Sequence, residues 1–109
     1  MANDVLRGAE LRVGLVIEVK RSPDARKPAY RLVVDFGTEI GRKKSSAQIT
    51  EFYTGQALMA KLVICTVNVE PLTIGSFVSE VVVNGFKRAN GVWVLAVPDA
   101  DAPLGTRLE

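Results

Sequence analysis

The chain has 109 residues, 48% of them hydrophobic, with 14 Lys and Arg against 12 Asp and Glu for a net charge of +2. That length suits one domain, residues 1–109, with apolar residues enough for a core. Histidine is absent and Cys65 is the single cysteine, which removes the commonest general base, the commonest metal ligand, any intrachain disulfide and any thiolate metal cluster. No enzyme, metal or cofactor is expected. The apolar runs are too short to cross a bilayer, and the start lacks a basic-then-apolar secretory pattern, so a cytoplasmic location is expected.

Period-two alternation opens the chain. Leu11, Val13, Leu15, Ile17 and Val19 point one way and Arg12, Val16, Glu18 and Lys20 the other, a long strand with one buried face. Gly14 marks a sharp bend or bulge within it. Residues 21–28 are a basic, turn-rich loop with two prolines. A second strand alternates Tyr30, Leu32, Val34 and Phe36 against Arg31, Val33 and Asp35, and Gly37 ends it. A third, mostly polar strand runs over 40–49.

Residues 50–61 hold the helical candidate. Thr50 or Thr54 can cap it, and Gly55 argues for two short turns over one long helix. Phe52 and Leu58 are expected to plug one end of a barrel. Three β-rich runs follow, at 62–69, 77–86 and 92–97, the last two joined by a tight hairpin at Ala89-Asn90-Gly91. The tail, 98–109, carries two prolines and is expected to lie extended on a surface. Strand, strand, strand, short helix, strand, strand is the order of an all-β, five-stranded OB-fold Greek-key barrel with extra terminal strand segments; an SH3-like barrel is the nearest rival.

The residues also carry a resemblance. Leu11-Arg12-Val13-Gly14 followed by Val16-Ile17-Glu18 resembles the opening of the tRNA-binding OB domain family. Residues 25–30 (Ala-Arg-Lys-Pro-Ala-Tyr), 35–37 (Asp-Phe-Gly), 45–50 (Ser-Ser-Ala-Gln-Ile-Thr), 79–81 (Ser-Glu-Val) and 104–107 (Leu-Gly-Thr-Arg) resemble its CsaA subfamily. The resemblance implies an OB-fold homodimer whose terminal segments help form the interface. It implies a chaperone for unfolded or presecretory polypeptides, related to protein export, with an ancestral capacity for tRNA. One loop departs from the pattern: Leu72 and Thr73 stand where basic residues are usual, Glu70 adds a negative charge, and Val78 replaces a common lysine.

Charge is uneven along the chain. Residues 1–50 carry ten Lys and Arg against six Asp and Glu, a balance of +4, and residues 51–109 a balance of −2. Arg26, Lys27, Arg31, Arg42, Lys43 and Lys44 make a candidate phosphate-binding patch where an OB-fold presents its platform. The same cations suit a solubilising face or an acidic partner. Ser46, Gln48, Asn68 and Ser79 are candidates to reach a base edge, and Glu80 and Asn84 to bond an extended peptide; these groups can equally satisfy one another at the barrel rim. Stacking of bases requires exposed aromatics, and most of the seven here read as core. Tyr53, Met59, Leu72 and Ile74 are candidate apolar contacts for a held polypeptide. Cys65 reads as a buried, inert thiol.

Overall fold

The structure, a computed structural model, describes residues 7–23 and 27–109. Its strands are β1 (Leu11–Arg21), β2 (Tyr30–Asp35), β3 (Arg42–Ala47), β4 (Leu62–Thr66), β5 (Leu72–Ile74), β6 (Phe77–Ser79), β7 (Val82–Val83), β8 (Gly85–Lys87) and β9 (Trp93–Leu95), with the helical turn α1 (Gly55–Leu58) between β3 and β4. The main sheet has the order β3-β2-β1-β4-β7, all antiparallel. This is the expected five-stranded OB-type barrel with its helix after the third strand.

β1 is long enough to serve two neighbours. Its first half pairs with β4, from Leu11–Thr66 to Leu15–Leu62, and its second with β2, from Leu15–Asp35 to Arg21–Tyr30. The register slips between Val16 and Glu18, so Ile17 is the extra residue of a bulge. The slip overturns one expectation. Val16 is fully buried in the core, on the side first assigned to polar residues, while Val19 packs against that core from beyond the bulge. Gly14 is required for a different reason from the bend: a Cβ there would come within 2.8 Å of the Phe36 ring and closer still to Val34.

The barrel is nearly closed between β3 and the chain just before β7. Lys44 O accepts from the N–H groups of Glu80 (2.7 Å) and Val81 (3.3 Å), and the Glu80 and Ser79 side chains accept from Lys44 N and Ser46 N. Side chains thus replace part of a ladder. Leu32, Val34, Phe36, Val63, Cys65 and Val81 fill the interior, and fully buried Leu58 plugs one end. Thr54 caps α1 by accepting from Ala57 N at 3.1 Å, as its position suggested. Phe52 does not join the plug. It stands 53% exposed because it falls in the turn before the cap, outside the helix that aims Leu58 inward.

Two elements differ from the linear pattern. The run 77–86 breaks into β6, β7 and β8, because Ser79 and Glu80 turn to bond β3. β5 pairs with β6 as a small hairpin around Gly75 (φ +60°), in the segment that read as a loop. The expected hairpin at 89–91 is present: Arg88 N bonds Val92 O, and Gly91 takes φ +86°. The tail pairs with the free edge of β1, with Val13 N to Thr106 O, Gly105 N to Val13 O and Leu108 N to Leu11 O at 2.8–3.0 Å. Among the described residues no helix is long and apolar enough to cross a membrane.

Candidate functional site

The basic patch is divided by strand alternation. On β2 and β3 the outward row pairs Arg31 with Ser46, Val33 with Lys44 and Asp35 with Arg42. Lys43 pairs with Val34 on the inward-facing row, so it does not share a face with Arg42 and Lys44. Two of the outward cations are already engaged. Arg31 lies 5.0 Å and Lys44 5.5 Å from the Phe77 ring, and Arg31 also donates to Ser76 Oγ. Such contacts hold long side chains in place and lower the cost of ordering them around a ligand. Glu18 and Lys20 from β1 join the same outward rows and pair at 3.8 Å, which moderates the field. Lys27 is exposed, and Arg26 lies outside the described residues.

A cavity of about 270 Å3 opens where β3 and the β8–β9 ribbon diverge beyond the closure. Its apolar surface comes from Ala47, Ile49, Val83 and Leu95, its wall from Trp93, and its polar edge from Ser46, Gln48 and Asn84. Gly85 is obligatory beside it, since a Cβ there would strike Val94 O. Trp93 remains 42% exposed, so an indole face is available to a ligand entering the cavity. Ser46 and Gln48, expected to meet RNA, and Asn84, expected to meet peptide, therefore converge on one site.

The remaining candidates are distributed elsewhere. Asn68 ties the entry of β1, accepting from Glu10 N and donating to Gly8 O, both at 2.8 Å. Ser79 and Glu80 stitch the barrel seam. The Tyr53 hydroxyl accepts from Leu95 N at 2.9 Å and braces the cavity from behind. Met59 is exposed after α1, Leu72 is exposed and Ile74 half-buried on β5, and none of them lines the cavity. Asn84 is itself oriented by Ile64 O and Thr66 Oγ1. Burial pushes the Cys65 thiol up to about 12, so it stays protonated and unreactive at neutral pH.

Sequence reasoning missed Trp93, Phe86 and Phe52. All three are exposed, at 42%, 66% and 53%, against the expectation that most aromatics are core. For Trp93 and Phe86 the available signal was the Asn-Gly hairpin, since a two-stranded ribbon has no second sheet to cover both its faces.

The model of the putative tRNA binding domain matches residues 11–107, nearly the whole described fold. This chain belongs to that family. Within the family it is similar in structure to the CsaA chaperone protein of Picrophilus torridus, with a TM-score of 0.89 and 40% identity over 100% of this chain and 98% of the other. The chaperone CsaA of Bacillus anthracis gives 0.89 and 38%, covering 100% and 97%. Among curated relatives, the methionine–tRNA ligase of Methanocorpusculum labreanum is 36% identical over 100 residues, 91% of this chain. That match spans only 14% of the ligase, so the chain corresponds to a small part of that protein.

Proposed function

We propose that this family member is a polypeptide-holding chaperone of the CsaA type, acting as a cytoplasmic homodimer on unfolded or presecretory chains without catalysing a reaction. The observation that carries this is the cavity between β3 and the β8–β9 ribbon. It offers apolar surface and an open indole, beside polar groups that suit a peptide backbone. The likeness to two CsaA chaperones over the full chain supports the same reading. No general base is offered by this cavity, whose polar members are two amides and a hydroxyl.

The test is suppression of aggregation of a chemically unfolded client, followed with Trp93, the single tryptophan, as an internal fluorescence probe. Holding should perturb Trp93 emission, and Trp93→Ala should weaken client binding about tenfold while leaving the melting temperature near that of the parent, because the ring is partly exposed. Unchanged aggregation at several-fold molar excess of the parent protein would sink the proposal.

A second reading, binding of tRNA, is favoured by the family match and by the outward cations Lys27, Arg42 and Lys44. RNA affinity should fall by ~0.7 log units per log unit of salt for each phosphate neutralised, whereas capture of an apolar peptide should be nearly flat.

A further inference from the structure

The β8–β9 ribbon has two faces, and the cavity uses only one. Trp93 and its cross-strand partner Lys87 stand on the cavity side, while Phe86 pairs with Val94 on the other. Alternation places Arg88 with Phe86. The Arg88 guanidinium lies 5.5 Å from the Phe52 ring, Phe52 meets Tyr53 edge-on at 5.0 Å, and the Lys61 ammonium stands 5.9 Å from the Tyr53 ring. Phe52 and Phe86 are the two most exposed aromatics of the described chain.

We propose that this second face binds unpaired stretches of RNA, with bases stacking on Phe52 and Phe86 and the adjoining phosphates meeting Arg88 and Lys61. It deepens the RNA-binding reading and shares only the premise that RNA is bound; the β2–β3 platform and the polypeptide cavity are separate from it. A surface meant for apolar clients gains little from cations over Phe52 and Tyr53, and a surface meant for polyanions gains little from large exposed rings. A nucleotide presents both features, a flat base and one negative charge a few ångströms away, and rings with neighbouring cations match that alternation. On this side the segments concerned bring Lys61 and Arg88 against a single carboxylate, Glu51. The T-shaped contact with Tyr53 fixes the Phe52 ring before binding, so little side-chain entropy remains to be lost.

The experiment is a titration of the full chain with a short labelled oligouridylate, with inorganic polyphosphate and with an acidic unfolded polypeptide. Phe52→Ala and Phe86→Ala should each weaken oligouridylate binding about tenfold with the salt slope unchanged. Polyphosphate binding should stay as in the parent. Arg88→Ala should instead flatten the oligouridylate slope by ~0.7. All three side chains are exposed, so melting temperatures should match the parent and show that the variants fold. Full-strength oligouridylate binding by the doubly substituted protein overturns the proposal, as does an equal loss for polyphosphate or for the acidic polypeptide. Failure of the parent to bind any RNA removes the RNA-binding reading itself and this site with it.

Discussion

Cys65 sits fully buried in β4 opposite Val83, with its thiol pushed up to about 12 by desolvation alone. Its folded value lies above the unfolded reference of about 9, so the protonated thiol is favoured in the native state. The associated stability is fully present below pH 9 and is lost as pH rises toward 12. Relative to Cys65→Val, the native protein should lose about 2 kcal/mol between neutral pH and about pH 10.5, measured as the difference in urea unfolding curves. A pH-independent difference would mean that the thiol is not desolvated. The burial of Cys65 was legible because it alternates with Val63 and Val67. The burial of Val16 was not. Alternation counts residues, and the one-residue bulge at Ile17 reverses the phase without leaving a mark in the pattern. Exposure of Phe52 was equally hidden, since Phe52 and Leu58 fall in one helical candidate segment and only the cap at Thr54 separates turn from helix.

At the scale of elements, the long barrel strands were legible, as was the β8–β9 hairpin through its Asn-Gly turn, and the β5–β6 hairpin was not. β1, β2 and β4 have an interior to fill, so each carries an apolar row. β5 and β6 pair only as a hairpin, and Leu72 and Thr73 stay exposed, so no alternation announces them. The candidate site suffered from the same blindness. Ser46, Gln48 and Asn84 were found as polar residues out of place, but Trp93 and Leu95, which complete the cavity, come from a ribbon whose placement depends on where the barrel stops closing. The C-terminal strap offers a sharper test of what an element contributes. Gly105 and Gly91 both take φ +86°, yet a Cβ at Gly105 would lie 2.6 Å from Phe36 O and one at Gly91 would meet nothing. Gly91→Ala should therefore cost about 1 kcal/mol of unfolding free energy, from backbone strain alone. Gly105→Ala should cost ~1–3 kcal/mol more, and should speed amide exchange at Val13 and Leu108, whose bonds join the strap to β1. Equal costs at the two glycines would show that the strap yields without resistance.

For the whole molecule, the homodimer proposed above needs an apolar face to bury, and the outer face of β1 and β4 offers one. Val13 pairs with Ile64 and Leu15 with Leu62 on that face, and Val82, Val97 and Leu108 stand exposed around it. A cavity of about 340 Å3, lined in part by Val13, Ile64, Val97 and Leu108, deepens the same surface. A stable dimer needs about 800 Å2 per partner. That is roughly a ninth of the 7003 Å2 this chain exposes, an area within reach of one sheet face and its strap. A second copy meeting the first across this face would bury apolar residues on both sides at once. Val82→Glu combined with Val97→Glu should therefore convert a sedimenting dimer to monomer and remove the dependence of its melting temperature on protein concentration. The cavity proposed to hold polypeptide lies elsewhere on the barrel, so on that proposal the monomeric variant should bind a short peptide as the parent does. Its hold on a long unfolded client should weaken ten- to a hundredfold, because two linked cavities raise the effective concentration of the second contact. A monomer that protects long clients as well as the dimer would mean that one cavity suffices and that pairing serves another end; an unchanged dimer would place the interface on a different face.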